Sequence, residues 1–554
     1  MKRADRLKPL YRQSLVAGFA GLMLLFSASA SLAAVFSGTI ISVSPSSGQI
    51  VVKSTTRGIN RSFRVSKSAR VSLDGKTAFL SRVRPGQTVS VFASGTNATR
   101  LIVRRPKSPS KSITDTPTRP RLSPEKTQRS AASDRTTPVR SPSPRTRPAT
   151  PSASRSSTAA PDGFSNDWPQ YRGPNRDNRS PARGLTTDWG SRGPETAWLA
   201  TGLGEGYSSV ALAHGMIYSM GNIGQDEMVL ALDARTGNRV WATRSGNGFR
   251  QGAGNGPRGT PTVDGDHLYA LGANGDLVCL EARNGRTVWQ KNILREFGGR
   301  NIQWGISESV LVDGDRVICT PGGSSGTMVA LNRLTGRTIW AARVQGNPQA
   351  AYSSPIICEV GGVRQYVNFV SSGVVGVRAR DGSVMWGQQE SANRTANCSS
   401  QIFYSNTIFS ASGYGTGGAL FRLQSRGGTT MSQSGWQTRE MKNHHGGMVE
   451  IDGFLYGCDE QVLTCINLRT GDVAWKNRSV GKGSVTYADG HLYVRSEQGP
   501  VALVEVNPSR YLEKGRFEPA QKSGRRTWAH PVIAGGQMFL RDQDRLLACN
   551  IRQQ

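Results

Sequence analysis

PTVDGDHLYALGANGDLVCLEARNGRTVWQKN, residues 261–292, is the stretch from which the fold is read. Short apolar runs alternate with Asp-Gly, Asn-Gly and Asn-Gly-Arg turns, so the segment reads strand, tight turn, strand, loop, strand, Gly turn, strand. Two further copies are SVLVDGDRVICTPGGSSGTMVALNRLTGRTIWAAR (309–343) and MVEIDGFLYGCDEQVLTCINLRTGDVAWKN (448–477). In each, a Gly stands four residues before a Trp. The same pair recurs as Gly237/Trp241, Gly285/Trp289, Gly336/Trp340, Gly382/Trp386 and Gly471/Trp475. Successive Trp lie 48, 51, 46 and 89 residues apart; the last interval spans two units, with Trp436 between them.

A four-stranded unit cannot cover both faces of its own sheet, so units must stack. The Gly supplies the positive φ of the third hairpin. The Trp on the outer strand places a flat ring between neighbouring sheets, where its N–H finds a carbonyl. Seven units begin near Tyr207, Arg258, Trp304, Tyr352, Asn397, His445 and Gly483. The eighth, AHPVIAGGQMFLRDQDRLLACNI (529–551), has three strands, and ETAWLA (195–200) supplies the fourth. Trp198 lies 43 residues before Trp241, in register with the others. The expectation is an all-β chain whose residues 167–554 close as an eight-bladed β-propeller, clasped by an N-terminal strand. The fifth unit has extra residues before Trp436, and the seventh lacks the Trp.

Three regions precede the ring. Residues 1–34 have the basic, apolar and small-residue order of a signal peptide: Lys2 to Arg12, Leu15 to Phe26, then Ser27 to Ala34. The apolar run is shorter than a membrane span, with an uncleaved anchor as the alternative. No Cys follows the cleavage region, which speaks against lipid attachment. Residues 35–105 alternate over about six short strands and are expected to form a small basic β-barrel. Residues 106–166, rich in Pro, Ser, Thr and Arg, are expected to be a disordered linker. The net charge of +31 is concentrated early: +11 over 34–105 and +7 over 106–166, against +9 over 167–554. Such a field favours anionic surfaces, so residues 35–166 are candidates for envelope contact. Export makes specific nucleic-acid binding unfavoured. The expected location is periplasm, cell envelope or exterior, with no transmembrane span after signal cleavage.

ALDARTGNRVW (231–241) and its copies resemble the repeat of quinoprotein alcohol dehydrogenases. They also resemble the propeller of BamB, the lipoprotein of outer-membrane β-barrel assembly. DWPQYRGPNRDNRSP (167–181), GLGEGYSSV (202–210), KNHHGG (442–447) and LRDQD (540–544) are similar to bacterial PQQ-like repeat proteins. The resemblance implies the propeller fold, and fold alone leaves activity open. Quinoprotein dehydrogenases hold pyrroloquinoline quinone (PQQ) on a vicinal disulfide beside calcium chelated by Glu, Asn and Asp. This chain has no vicinal Cys pair and no recognisable calcium cluster. The reading is therefore a non-catalytic binding or assembly scaffold, with no cofactor expected. The alternatives are a PQQ-dependent oxidoreductase, or a binder of carbohydrate or other anionic ligands in the central funnel.

The loops leading into the first strands converge on one rim. They carry Arg258, Trp304, Tyr352, Asn397, His444, His445, Lys482, Trp528 and His530, which suits an anionic or sugar-like ligand, an acidic peptide or an envelope protein. Carboxylates are nearly absent from these positions. Adjacent His on a strand face opposite ways, so one of His444 and His445 is expected at the channel unless the backbone bends. No metal site is expected. The DGD turns are read as hairpins. The seven Cys are read as small buried hydrophobes, with a Cys458–Cys465 pairing left open.

Overall fold

A computed structural model describes residues 34–44, 49–54, 60–73, 76–77, 80, 83–94, 97–104, 167–190 and 192–553. The expected signal peptide up to residue 33 and the expected linker lie outside the described residues.

The chain divides into two units, Met1–Thr146 and Arg147–Gln554. In the first, Ala34–Ser44 pairs with Gln49–Ser54 and Thr88–Ser94, and Asn97–Arg104 joins Thr88–Ser94 to Asn60–Leu73. Gln49–Ser54 also pairs with Asn60–Leu73, so the pairings of these five strands run in a cycle. Asn60–Leu73 is one 14-residue strand whose register shifts between Val65 and Arg70. Alternation turns Ile40, Ile50, Val52, Phe63, Val91 and Leu101 into one buried cluster.

The second unit is a β-propeller of four-stranded antiparallel sheets. Eight such sheets are formed, over 211–247, 262–292, 311–342, 356–388, 402–438, 449–477, 483–517 and 532–550, and the last is completed by Glu195–Ala200. In that sheet Trp198 pairs with Ala548, the same register as Trp241 on Ala231 and Trp289 on Cys279.

The outer strands carry a feature that hydropathy does not show. The residue before each Trp is a bulge: Val240, Val288 and Ile339 are extra residues in their ladders. The bulge turns the indole toward the next sheet and leaves its own side chain exposed. Indole N–H groups then donate to carbonyls one sheet along: Trp241 to Ala282, Trp289 to Arg333, Trp340 to Ala379, Trp436 to Leu468 and Trp475 to Asn507. Trp386 instead donates to Gln365 Oε1 within its own sheet. The repeat Gly serves this packing as well as the turn. Gly382 has φ 76°, and a Cβ there would lie 2.6 Å from the Trp340 ring.

The seventh sheet has Gly515 where the others have Trp. Trp189, from the segment arriving at the ring, fills the space. Its amide donates to Lys514 O, and its ring lies 5.8 Å from Tyr493, much as Trp475 lies 5.9 Å from Tyr456.

The Cys are free thiols, six of them buried. Cys458 pairs across the ladder with Leu463 and Cys465 with Tyr456, so the two Cys are not cross-strand partners.

Candidate functional site

The segment Asp167 to Pro181 threads the axis of the ring. Trp168 exchanges backbone bonds with Leu212, and Pro169 O accepts from Val263 N. Arg176 donates to Ser309 O and Val310 O, and Arg172 to Gln401 O and Met448 O. Ser180 binds Tyr487 O through its amide and Ile533 O through its hydroxyl. These partners lie at or beside the first strands of seven of the eight sheets. The segment is therefore a stopper that satisfies inner backbone groups which an open channel would leave to water. Three left-handed residues, Arg172, Arg176 and Asn178, let it coil tightly enough. Next to Ser309, Glu308 is fully buried. Burial raises its carboxyl to about 8 against the pull of Thr320 and Arg176.

Above the stopper, with Tyr171 in its wall, lies a cavity of about 350 Å³. All eight lead-in loops contribute. The chain is extended in most of them, so residues at i and i+2 face inward: Tyr207 and Ser209, Arg258 and Thr260, Tyr352 and Ser354, Ala396 and Cys398, Trp528 and His530. The same alternation corrects one expectation. Asn397 lies between Ala396 and Cys398 and turns away; it is buried, donating to Val370 O and accepting from Asn393 N. His444 and His445 both line the cavity, because the chain bends there and Gly446 takes φ 72°. Trp304 and Lys482 complete the expected set.

One wall is a continuous stack. His445 lies 6.3 Å from Trp528, Trp528 lies 4.0 Å from Tyr207, and the Arg258 guanidinium sits over Tyr207 at 5.4 Å and Phe249 at 4.8 Å. Arg258 also donates to Gly256 O and Gly254 O. Burial lowers its pKa to about 10. Trp528 is thus stacked on Tyr207, with His445 near-parallel to it at longer range.

Four residues that the lead-in reading missed complete the site. Tyr171 comes from the stopper, Tyr414 from a hairpin of the fifth sheet, Glu497 from a hairpin of the seventh and Arg526 from just before Trp528. Glu497 is the one carboxylate in the lining and comes from outside the lead-in positions. His445 Nε2 donates to its Oε2 at 3.1 Å, while Lys482 Nζ and Arg526 Nε each lie 4.0 Å from the carboxylate. Glu497 N donates to Lys482 O, and Thr527 N to Glu497 O, so the backbone ties these loops together. Burial alone would raise Glu497, but the His445 hydrogen bond and the surrounding cations carry it down to about 2. Burial holds His445 below its ordinary value despite Glu497. Burial also takes His444 to about 4, helped by Lys482, and His530 to about 4. His530 Nε2 donates to His445 O, and Tyr414 N donates to His444 Nε2, which places the His444 proton on Nδ1.

A second cavity, of about 760 Å³, shares Tyr207 and Arg526 with the first and is lined by Arg250, Gln251 to Asn255, Gly524 and Arg525. Glu205 braces it, 3.0 Å from Arg525 and 4.0 Å from Arg250.

A family model described as "Outer membrane protein assembly factor BamB" matches residues 225–477. The ring is a PQQ-like repeat propeller. Two curated relatives carry that same name. The one from Kangiella koreensis is 33% identical over 81 residues, 15% of this chain and 18% of that one. The one from Burkholderia pseudomallei is 24% identical over 361 residues, 63% of this chain and 86% of that one. Among solved structures, the quinohemoprotein alcohol dehydrogenase of Comamonas testosteroni matches with a TM-score of 0.51 at 13% identity, covering 70% of this chain and 80% of its own. That likeness is one of fold.

The donor set of this PQQ-like propeller does not fit a quinone with calcium. Calcium takes six to eight oxygen ligands, and the cavity offers one carboxylate, already held by His445 among cations. Among the described residues no group of three or more His, Cys, Asp or Glu could hold a metal ion.

Proposed function

We propose that this chain is an exported, non-catalytic binding scaffold of the cell envelope. In this reading the eight sheets close as an eight-bladed ring, the first unit is a small barrel, and a partner is held in the stoppered funnel. The observation that carries it is the chemistry of the funnel wall. It gathers cations and imidazoles, and its one carboxylate-paired imidazole, His445, is buried with Nε2 committed to Glu497. Burial raises the Cys398 thiol to about 12, far from a reactive thiolate. Of the lining hydroxyls, Ser209 Oγ donates to His530 O and Ser307 Oγ to Gly305 O, so neither bonds an imidazole. His444 and His530 titrate near 4, well below the range of an efficient acid–base catalyst. The relatives named as assembly factors support a scaffold in the envelope, and the cyclic strand pairing of the first unit supports the barrel. Two measurements test the reading. Full-length protein given PQQ, calcium and an alcohol should reduce no dye, and fractionation of producing cells should place it outside the cytoplasm. Quinone-dependent dye reduction, or a cytoplasmic location, would overturn it.

A further inference from the structure

We propose that the funnel and the groove beside it form one trough that receives an acidic peptide segment of a protein partner. This rests on the scaffold reading and names what the scaffold holds. The two cavities adjoin, sharing Tyr207 and Arg526 in their linings. Five cationic side chains line the trough: Arg258, Lys482 and Arg526 in the funnel, Arg250 and Arg525 beyond it. Glu497 is the one carboxylate among the lining residues, and Glu205 braces the groove from behind. The trough retains a net positive charge after both are counted, which favours a chain carrying several carboxylates.

The charge of the lining and the stacking of its central rings favour a peptide over a saccharide. A sugar ring packs on an open aromatic face. Trp528 is stacked on Tyr207, and Tyr207 also carries the Arg258 guanidinium, so these rings are engaged with one another. The lining also offers cations, hydroxyls and N–H donors, which match carboxylates and peptide carbonyls. The groove rim contains Gly252 and Gly254. Gly252 opens to free space where a Cβ would stand, so another backbone can approach it closely, and Gly254 lies against the Tyr207 hydroxyl.

Glu497 gives the proposal its sharpest consequence. It stands among Lys482, Arg526 and His445 where a ligand carboxylate would also bind, so it competes with the ligand. Labelled hexaglutamate titrated into the full-length protein is the test, with polygalacturonate as the saccharide arm. Arg526→Gln and Lys482→Gln should each weaken hexaglutamate binding about tenfold. Glu497→Gln should tighten it about threefold or more. The Arg526 side chain is 63% exposed, so its variant folds irrespective of the outcome for Lys482. Basic residues before the ring are unchanged in all three variants, so any binding they add is constant. Hexaglutamate binding identical in the three variants would overturn the trough while leaving the scaffold reading intact, since that reading fails only on dye reduction or location. Polygalacturonate binding that is tighter than hexaglutamate and lost in the same variants would overturn the peptide assignment.

Discussion

The Trp belt at the outer edge of the ring and the funnel at its axis draw on the same repeats in different ways. In the belt one packing solution recurs, and what matters is that an indole fills each gap between sheets. In the seventh sheet Trp189 does this from outside the repeat, against Tyr493 and over Gly515. In the funnel no position repeats. Each lead-in loop brings a different group, and the charged centre joins His445, Lys482, Glu497 and Arg526 from three different sheets' loops. The belt supplies stability with interchangeable parts, and the funnel supplies recognition with parts that are not interchangeable.

The contrast breaks if belt and funnel variants behave alike. The largest effect is expected from Trp340→Ala, about 3–5 kcal/mol in denaturant unfolding, because the ring is buried and its N–H is bonded. Trp189→Ala should cost nearly as much, about 3 kcal/mol, although it lies outside the repeat pattern. A cost below about 1 kcal/mol would show that the borrowed indole is not equivalent. Gly382→Ala should cost about 1–3 kcal/mol, from the positive φ and the approach to Trp340. Arg526→Gln should move unfolding by no more than about 0.5 kcal/mol, so its tenfold loss of peptide binding would be separable from stability.

A separate effect concerns pH and sharpens the role of the stopper. Glu308 is raised in the folded state from 4.5 to about 8. Its contribution to stability is fully present below 4.5 and lost as pH rises through about 8. Glu308→Gln should flatten that decline in melting temperature between pH 5 and 8. His530, lowered from 6.5 to about 4, acts in the opposite sense. Its contribution is present above 6.5 and lost as pH falls through about 4, a slope the Glu308 variant should retain.

Strand pattern, Gly-Trp spacing and the closing strand at Trp198 were legible in the sequence because they repeat. The bulge before each Trp was not, since a bulged Val240 and a paired Val look alike in a hydropathy pattern. Trp189 was missed because it substitutes in space for a residue absent from its own repeat. At the funnel, eight of the nine expected rim residues converge, because a lead-in loop can be located from the strand that follows it. Asn397 failed by a single step of the alternation. Glu497 escaped because it lies on a hairpin between the second and third strands, and only the folded ring brings that hairpin to the rim. The stopper was visible as a conspicuous segment, 167–181, but its role depends on contacts to residues as far away as Ile533.

The central claim is that the funnel, and not the basic region before the ring, receives the acidic chain. Eleven Trp give eleven indole N–H resonances in the full-length protein, and Trp304 and Trp528 are the two that line the funnel. Trp304→Phe and Trp528→Phe assign them. Hexaglutamate should shift these two resonances in a saturable manner and leave those of belt residues such as Trp241, Trp289 and Trp475 in place. Binding that leaves the Trp304 and Trp528 resonances unmoved would contradict the account.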